Sequence, residues 1–161
     1  MDYRVRMVDD KRLKSKIADR VLRALPEWFG IEEALVAYVD KSQNTRFWAA
    51  YVSDQPVGFL SLLPHNSYTS EIYCMGLDPV FHRHGIGTTL MEACEESCRK
   101  QGTEFLTVKT LDESKPDDAY AKTRQFYIAR GFRPLEVFPT LWGERNPCLF
   151  LAKNLLHLIR D

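Results

Sequence analysis

Gly76-Leu-Asp-Pro-Val-Phe-His-Arg-His-Gly-Ile-Gly-Thr-Thr-Leu90 is the stretch whose reading decides the fold. An apolar segment, Ile72 to Leu77, runs into it and stops at Pro79. A short basic turn with two glycines follows, His82 to Gly87. A helix then begins: Gly87, Leu90, Met91, Cys94 and Cys98 share one face at helical spacing, and Gly102 ends the pattern. Gly85 and Gly87 let the backbone come close to a ligand, because no Cβ stands in the way. The N–H groups of the helix's first turn have no partner inside the helix, and the helix dipole favours negative charge in front of them. His82, Arg83 and His84 add positive charge or hydrogen-bond donors. The stretch reads as a seat for a phosphate-bearing ligand. The same pattern also serves as an ordinary strand-to-helix connection, so the turn alone leaves both readings open.

Two phosphate-binding motifs are excluded. The P-loop needs Gly-Lys-Ser/Thr, and no lysine follows Gly85 or Gly87. The dinucleotide fingerprint needs a third glycine where Leu90 stands, and it usually lies on the first strand of its domain rather than at mid-chain.

Working outward, 161 residues are most simply one domain, 1–161, with room for a substantial core. Basic and acidic residues balance at 22 each, which gives no support for a partner nucleic acid or membrane surface. The apolar runs are too short to span a bilayer, and Met1-Asp2-Tyr3-Arg4 does not begin a signal peptide. Cys74, Cys94, Cys98 and Cys148 are scattered without a histidine cluster, so they read as core residues, with no metal site, in a reducing cytoplasm.

Tyr3 to Val8 alternates apolar and charged residues and predicts a first strand. Asp9 or Asp10 caps a helix with Leu13, Ile17, Val21 and Leu22 on its apolar face, stopping before Pro26. Trp28 and Phe29 then sit in a turn as exposed-looking aromatics, and a shorter helix, about Ile31 to Val39, carries Leu35, Val36 and Val39 inward. Phe47–Val52 and Val57–Leu63 form a hairpin around a turn at Asp54-Gln55-Pro56, with Gly58 marking a bend. Thr69–Leu77 is the next strand. After the helix, Phe105 to Thr110 is another, and strand-helix-strand implies a parallel pair with a right-handed crossover. A polar loop leads to a helix over Ala119–Arg130, capped by Asp117 or Asp118. Gly131 ends it, Phe132 opens a strand running to Phe138, and Cys148–Ala152 is a final buried strand.

On that late helix, Tyr120, Thr123, Arg124 and Tyr127 fall at i, i+3, i+4 and i+7 and share a face unlike a core stripe. This pattern, Tyr120-x-x-Thr123-x-x-Phe126-Tyr127-x-x-x-Gly131-Phe132, and the earlier His82-Arg83-His84-Gly85-Ile86-Gly87 are similar to two motifs of the GNAT superfamily of acyl-CoA-dependent N-acetyltransferases. Those motifs read Arg/Gln-x-x-Gly-x-Gly/Ala, and Asn-x-x-Ala-x-x-Phe-Tyr-x-x-x-Gly-Phe. Both occur here in the family's order. His82 stands where the family has Arg or Gln, Tyr120 where it has Asn, and Thr123 where it has Ala.

The resemblance implies a mixed α/β sheet of about seven strands with four helices, its central parallel strands splayed. It implies acetyl-CoA as co-substrate, with the pantetheine arm along Met75, Gly76 and Leu77. The diphosphate would lie on the turn formed by His82, Arg83, His84, Gly85, Ile86, Gly87 and Thr88. Tyr120 and Arg124 are candidates on the cofactor side of the late helix; Arg124 serves equally as a surface ion-pair partner. Acetyl transfer needs a neutral amine, a donor for the developing oxyanion and a proton for the departing thiolate. Tyr127 matches the family's general acid, and its alternative is an aromatic packed beside Phe126. Leu77 N–H is the candidate oxyanion donor. Glu71 is the candidate base, or else a solvated carboxylate at a strand end. Trp28, Phe29 and Glu33, with Trp142 facing them, form a candidate pocket for the acceptor amine, small molecule or protein; ordinary packing explains them equally well. A homodimer is compatible with the family. Two other classes compete: a catalytically silent acyl-CoA-binding module, which does not need Tyr127, and an unrelated nucleotide-binding α/β domain.

Overall fold

The computed structural model describes residues 1–156, so the last five positions of the expected 1–161 domain lie outside the described residues. The elements follow the order β1 (Arg4–Met7), α1 (Lys11–Arg23), α2 (Glu32–Ser42), β2 (Arg46–Val52), β3 (Gln55–Pro64) and β4 (Thr69–Leu77). A single 3-10 turn, Pro79–Phe81, leads to α3 (Ile86–Lys100), β5 (Phe105–Leu111), α4 (Asp118–Ala129), β6 (Arg133–Phe138) and β7 (Cys148–Asn154). The strands form one seven-stranded mixed sheet in the order β1-β2-β3-β4-β5-β7-β6. The expected fold class, mixed α/β with seven strands and four α-helices, is the one observed.

The chain divides into two compact units, and β4 contributes to both. The first holds residues Met1–Leu63 and Ile72–Ser97; the second holds Pro64–Glu71 and the chain from Cys98 on.

In the first unit, β1, β2 and β3 pair antiparallel in sequence order. Asp10 caps α1 by accepting from Leu13 N at 2.8 Å. The buried stripe of α1 is Lys14, Ile17, Ala18, Val21 and Leu22. The sequence reading put Leu13 on that face, but Leu13 is 41% exposed. Lys14 takes its place by laying its stem inward and donating from Nζ to the Thr45 carbonyl at 2.6 Å. Val36, also expected inside, is 41% exposed, while Leu35 and Val39 are buried. The α1–α2 layer closes over Phe47, Ala49, Phe59 and Cys74. Phe47 and Phe59 stack with centroids 5.0 Å apart.

The β2–β3 turn sits one residue earlier than expected. Ser53 and Asp54 carry φ of 48° and 64°, and Val52 pairs with Gln55, which makes a two-residue hairpin. Pro56 therefore lies inside β3, opposite Tyr51, beside a register shift between Ala50 and Tyr51. A bulge is where a strand accommodates a residue without an N–H. Gly58 borders that irregularity, since it pairs with Ala50 while Pro56 pairs with Tyr51, and it also marks a close approach: a Cβ there would lie 2.8 Å from Leu77 Cδ1 and 3.0 Å from the Gly76 carbonyl.

In the second unit, β5, β7 and β6 pair antiparallel around buried Leu106, Val108, Leu149 and Leu151. Asp117 caps α4 through Tyr120 N. Gly131, at φ 100°, ends it, and Phe132 N donates back to the Tyr127 carbonyl at 3.1 Å. That closing bond is the pattern glycine permits just past a helix. The expected core cysteines, Cys74, Cys94, Cys98 and Cys148, are all buried free thiols. Burial pushes the Cys148 thiol up to about 11 and that of Cys74 higher still.

Candidate active site

The turn ahead of α3 begins with Asp78, whose carboxylate accepts from Val80 N and starts the 3-10 turn at Pro79. His82 follows, exposed. Its Nε2 lies 2.7 Å from the Leu77 carbonyl. A carbonyl only accepts, so Nε2 carries the proton. Trp28 meets the same imidazole edge-on, with centroids 6.2 Å apart. His82 therefore brackets the end of β4 against the turn. Arg83 and Gly85 both adopt left-handed backbone, at φ 66° and 82°. Glycine adopts that conformation freely, whereas Arg83 does so under strain. Arg83, His84 and Gly85 are exposed, and Ile86 is fully buried, anchoring the helix start. The first turn of α3 contains no acidic residue. Helix geometry leaves the N–H groups of Ile86 and Gly87 without an i−4 carbonyl. Gly87 and Thr88 are half-buried in that turn.

Along β4, Met75 and Leu77 are half-buried and Gly76 is buried. A Cβ at Gly76 would lie 3.0 Å from Leu25 Cδ1 and 3.1 Å from Val21 Cγ1, so α1 packs directly on the strand there. Glu71, at the start of β4, is neither in apolar surroundings nor solvated. It is buried, its Oε1 is 2.7 Å from His65 Nε2, and its Oε2 accepts from Lys109 Nζ at 3.0 Å. His65 sits in the β3–β4 connection, where its N–H donates to the Thr69 carbonyl. Asn66 closes that connection by accepting from Tyr68 N and Thr69 N. Sequence reasoning missed His65 and Lys109. The available signals were a histidine six residues before the glutamate across a turn, and a lysine on the strand after the crossover.

On α4, Tyr120, Thr123, Arg124 and Tyr127 form the less exposed face, while Lys122, Gln125 and Ile128 are exposed. Their chemistry is not uniform. Thr123 turns its hydroxyl back to the Ala119 carbonyl. Arg124 donates to the Leu111 carbonyl at 2.8 Å. The Tyr127 ring is 6% exposed and meets Phe126 and Phe132 edge-on, at 5.6 and 5.5 Å.

Of the residues expected to receive the acceptor, Trp28 and Phe29 are less exposed than expected. Trp28 and Phe29 are half-buried against the first unit's core, and Phe29 meets Tyr38 at 5.6 Å. Tyr38 in turn meets Tyr73, over which Lys41 Nζ stands at 5.1 Å. Glu33 is exposed in the first turn of α2. Trp142 is half-buried in the β6–β7 connection, in the other unit. Among the described residues, no group of three or more His, Cys, Asp or Glu could hold a metal ion, and no helix is long and apolar enough to cross a membrane.

The acetyltransferase (GNAT) family model matches residues 15–132 of this chain. No curated protein matches it. Solved structures do. A GNAT-family protein from Desulfovibrio desulfuricans is 18% identical, over 96% of this chain and 100% of that chain, with a TM-score of 0.80. The aminoglycoside 6'-N-acetyltransferase from Enterococcus faecium is 19% identical, over 99% and 100%, with a TM-score of 0.75. The paia N-acetyltransferase from Thermoplasma acidophilum, in complex with coenzyme A, is 16% identical, over 96% and 99%, with a TM-score of 0.74. Identities this low speak for the fold; the family model spans both the glycine turn ahead of α3 and the Phe-Tyr and Gly-Phe pairs around the end of α4, and on it this chain belongs to the acetyltransferase (GNAT) family.

Proposed function

We propose that this chain, a single 1–161 domain, moves an acetyl group from acetyl-CoA to a primary amine of a small molecule or protein, by direct attack. One observation carries the reading. A glycine at φ 82° opens a 15-residue helix whose first turn has no acidic residue. Such a turn presents N–H groups and the positive end of the helix dipole to a diphosphate. A Cβ at Gly85 would force a strained φ, so the turn suits close approach by an anion. Arg83 and His84 add donors and charge; His82, standing where the family has Arg or Gln, uses its Nε2 proton on the Leu77 carbonyl and so fixes the turn against the end of β4.

The thioester supplies an activated acyl carbon. The amine nitrogen attacks it, a C–N bond forms and the C–S bond breaks. Leu77 N–H is assigned to the developing oxyanion. Tyr127 gives its phenolic proton to the departing thiolate. Glu71 takes the proton released by the amine through His65, because both of its oxygens are already engaged. Tyr120 and Arg124 hold the outer part of the co-substrate, and Trp28, Phe29, Glu33 and Trp142 receive the acceptor. No metal takes part, and the cytoplasm is its natural place.

Tyr127→Phe tests the acid. The ring keeps its packing, so affinity for coenzyme A stays the same in calorimetry, while turnover falls about a hundredfold. Unchanged turnover removes Tyr127 from the mechanism. A second reading, an acyl-CoA-binding module without turnover, is favoured by the burial of that ring between Phe126 and Phe132. It predicts coenzyme A binding with no free thiol released against a panel of polyamines, aminoglycosides, amino acids and peptide N-termini.

A further inference from the structure

The turn ahead of α3 is braced from the far end of the sequence. Tyr3, just before β1, places its hydroxyl 2.8 Å from Thr89 Oγ1, across 86 positions of chain. Thr89 Oγ1 lies 3.0 Å from the Gly85 carbonyl, which also accepts from Thr89 N at 3.0 Å. Counting protons fixes the direction. The carbonyl has none to give, so the Thr89 hydroxyl donates its only proton to Gly85, and Tyr3 must donate to Thr89. The result is one chain, Tyr3 O–H to Thr89 O–H to Gly85 C=O. The Tyr3 hydroxyl also stands on the Cβ side of Gly85, where a built Cβ would lie 3.6 Å from it. It therefore stands beside the residue whose left-handed φ sets the turn.

Resting on the reading of this turn as the diphosphate seat, we propose that Tyr3 is a positioning residue for the co-substrate: its hydroxyl, acting through Thr89, holds the Gly85 carbonyl toward α3 and keeps the N–H side of the turn facing the anion. A turn held in its binding geometry spends less free energy on ordering when the ligand arrives. Thr89 back-bonds to Gly85 without help, but a serine or threonine hydroxyl in a first turn has alternative rotamers. The Tyr3 donor removes that choice. Nothing in the motif His82-Arg83-His84-Gly85-Ile86-Gly87 encodes the brace, because it comes from the segment just before β1.

The test is calorimetric titration of the full chain with coenzyme A, and separately with dephospho-coenzyme A, which keeps the diphosphate and lacks the 3'-phosphate. Tyr3→Phe and Thr89→Val each weaken both ligands by about three- to tenfold, the worth of one hydrogen bond. Thr89→Ser, which keeps the hydroxyl, restores the affinity, and the thermal midpoint of Tyr3→Phe stays within about 4 °C of the parent, as the loss of one part-buried hydrogen bond allows. Equal affinity in Tyr3→Phe and the parent overturns the proposal, as does a loss that tracks the thermal midpoint and is not restored in Thr89→Ser. Gly85→Val separates this from the larger reading. If Gly85→Val weakens coenzyme A and Tyr3→Phe does not, only the brace is wrong; if neither does, the diphosphate lies elsewhere.

Discussion

The turn at His82–Thr89 and the carboxylate at Glu71 are the two polar features that β4 joins, and they are built in opposite ways. The turn is contiguous in sequence, shaped by two left-handed residues and a helix start, and in the proposed function its working groups are peptide N–H donors. The carboxylate is held by side chains from three places, His65 in a connection, Glu71 on β4 and Lys109 on β5. A backbone site tolerates exchange of most of its side chains, because the donors remain. On the proposed function, this is what would let histidine stand at position 82 where the family has Arg or Gln. A side-chain cluster has less slack: remove Glu71 and the partly buried Lys109 loses its carboxylate, remove Lys109 and the buried carboxylate loses its ammonium.

The largest effect is therefore expected at Glu71. Its carboxylate is 9% exposed and Lys109 is 29% exposed, so Glu71→Leu leaves an ammonium partly buried and uncompensated. Stability in urea should fall by about 3 kcal/mol. Adding Lys109→Met to the same chain should recover most of that loss, since an apolar pair replaces an ion pair at little cost. A double variant as unstable as Glu71→Leu alone would mean that the cluster stabilises through packing and that the contrast with the turn is misplaced.

The turn gives the next effect in size. Gly85→Val strains a residue at φ 82° by about 1–2 kcal/mol, and coenzyme A affinity should drop about tenfold or more. Arg83→Ala and His84→Ala remove exposed groups, each worth under about 1 kcal/mol, and should lose less than about fivefold. If either truncation costs as much as Gly85→Val, side chains carry the seat after all.

The same contrast explains what could be read before any coordinates. Strand-turn-helix around Gly85 and the stop at Gly131 were legible because each is local: a breaker, a period, a cap. The β2–β3 turn was misplaced by one residue because Pro56 looked like the turn itself, while the pair that adopts positive φ, Ser53-Asp54, lacks glycine. Leu13 and Val36 were misassigned because a hydrophobic pattern cannot show that Lys14 lays its stem inward. Lys109 and Tyr3 were hard to see because each acts on a residue far off in sequence that only the tertiary fold brings near, whereas His65 had a local signal, six residues before Glu71 across a turn. The expected roles of Tyr127 and Tyr120 came from a motif and that of Arg124 from the helix face it shares with them, and the ring packing of Tyr127 shows why a motif alone leaves acid and packing residue both open.

Asp112, at the end of β5, separates locality from backbone character. It is a side-chain site, yet contiguous. Its Oδ2 accepts from Ser114 N at 3.0 Å, and its carbonyl accepts from Lys115 N at 3.2 Å. Burial alone would push its carboxyl up. The Ser114 side chain, the Ser114 and Glu113 N–H groups and the Arg124 charge outweigh that and hold it below the ordinary range. A carboxyl lowered by folding adds stability above its unfolded value, about 3.9, and that stability disappears as pH falls through the folded value. Asp112→Asn keeps an oxygen acceptor and loses the charge. It should therefore be less stable than the parent by up to about 1 kcal/mol at pH 7, with the gap closing in urea titrations run below about pH 4. A gap that persists unchanged well below that acidity would show that the loop depends on the shape of the side chain rather than its charge. Asp112 would then group with the glycines of the turn rather than with Glu71.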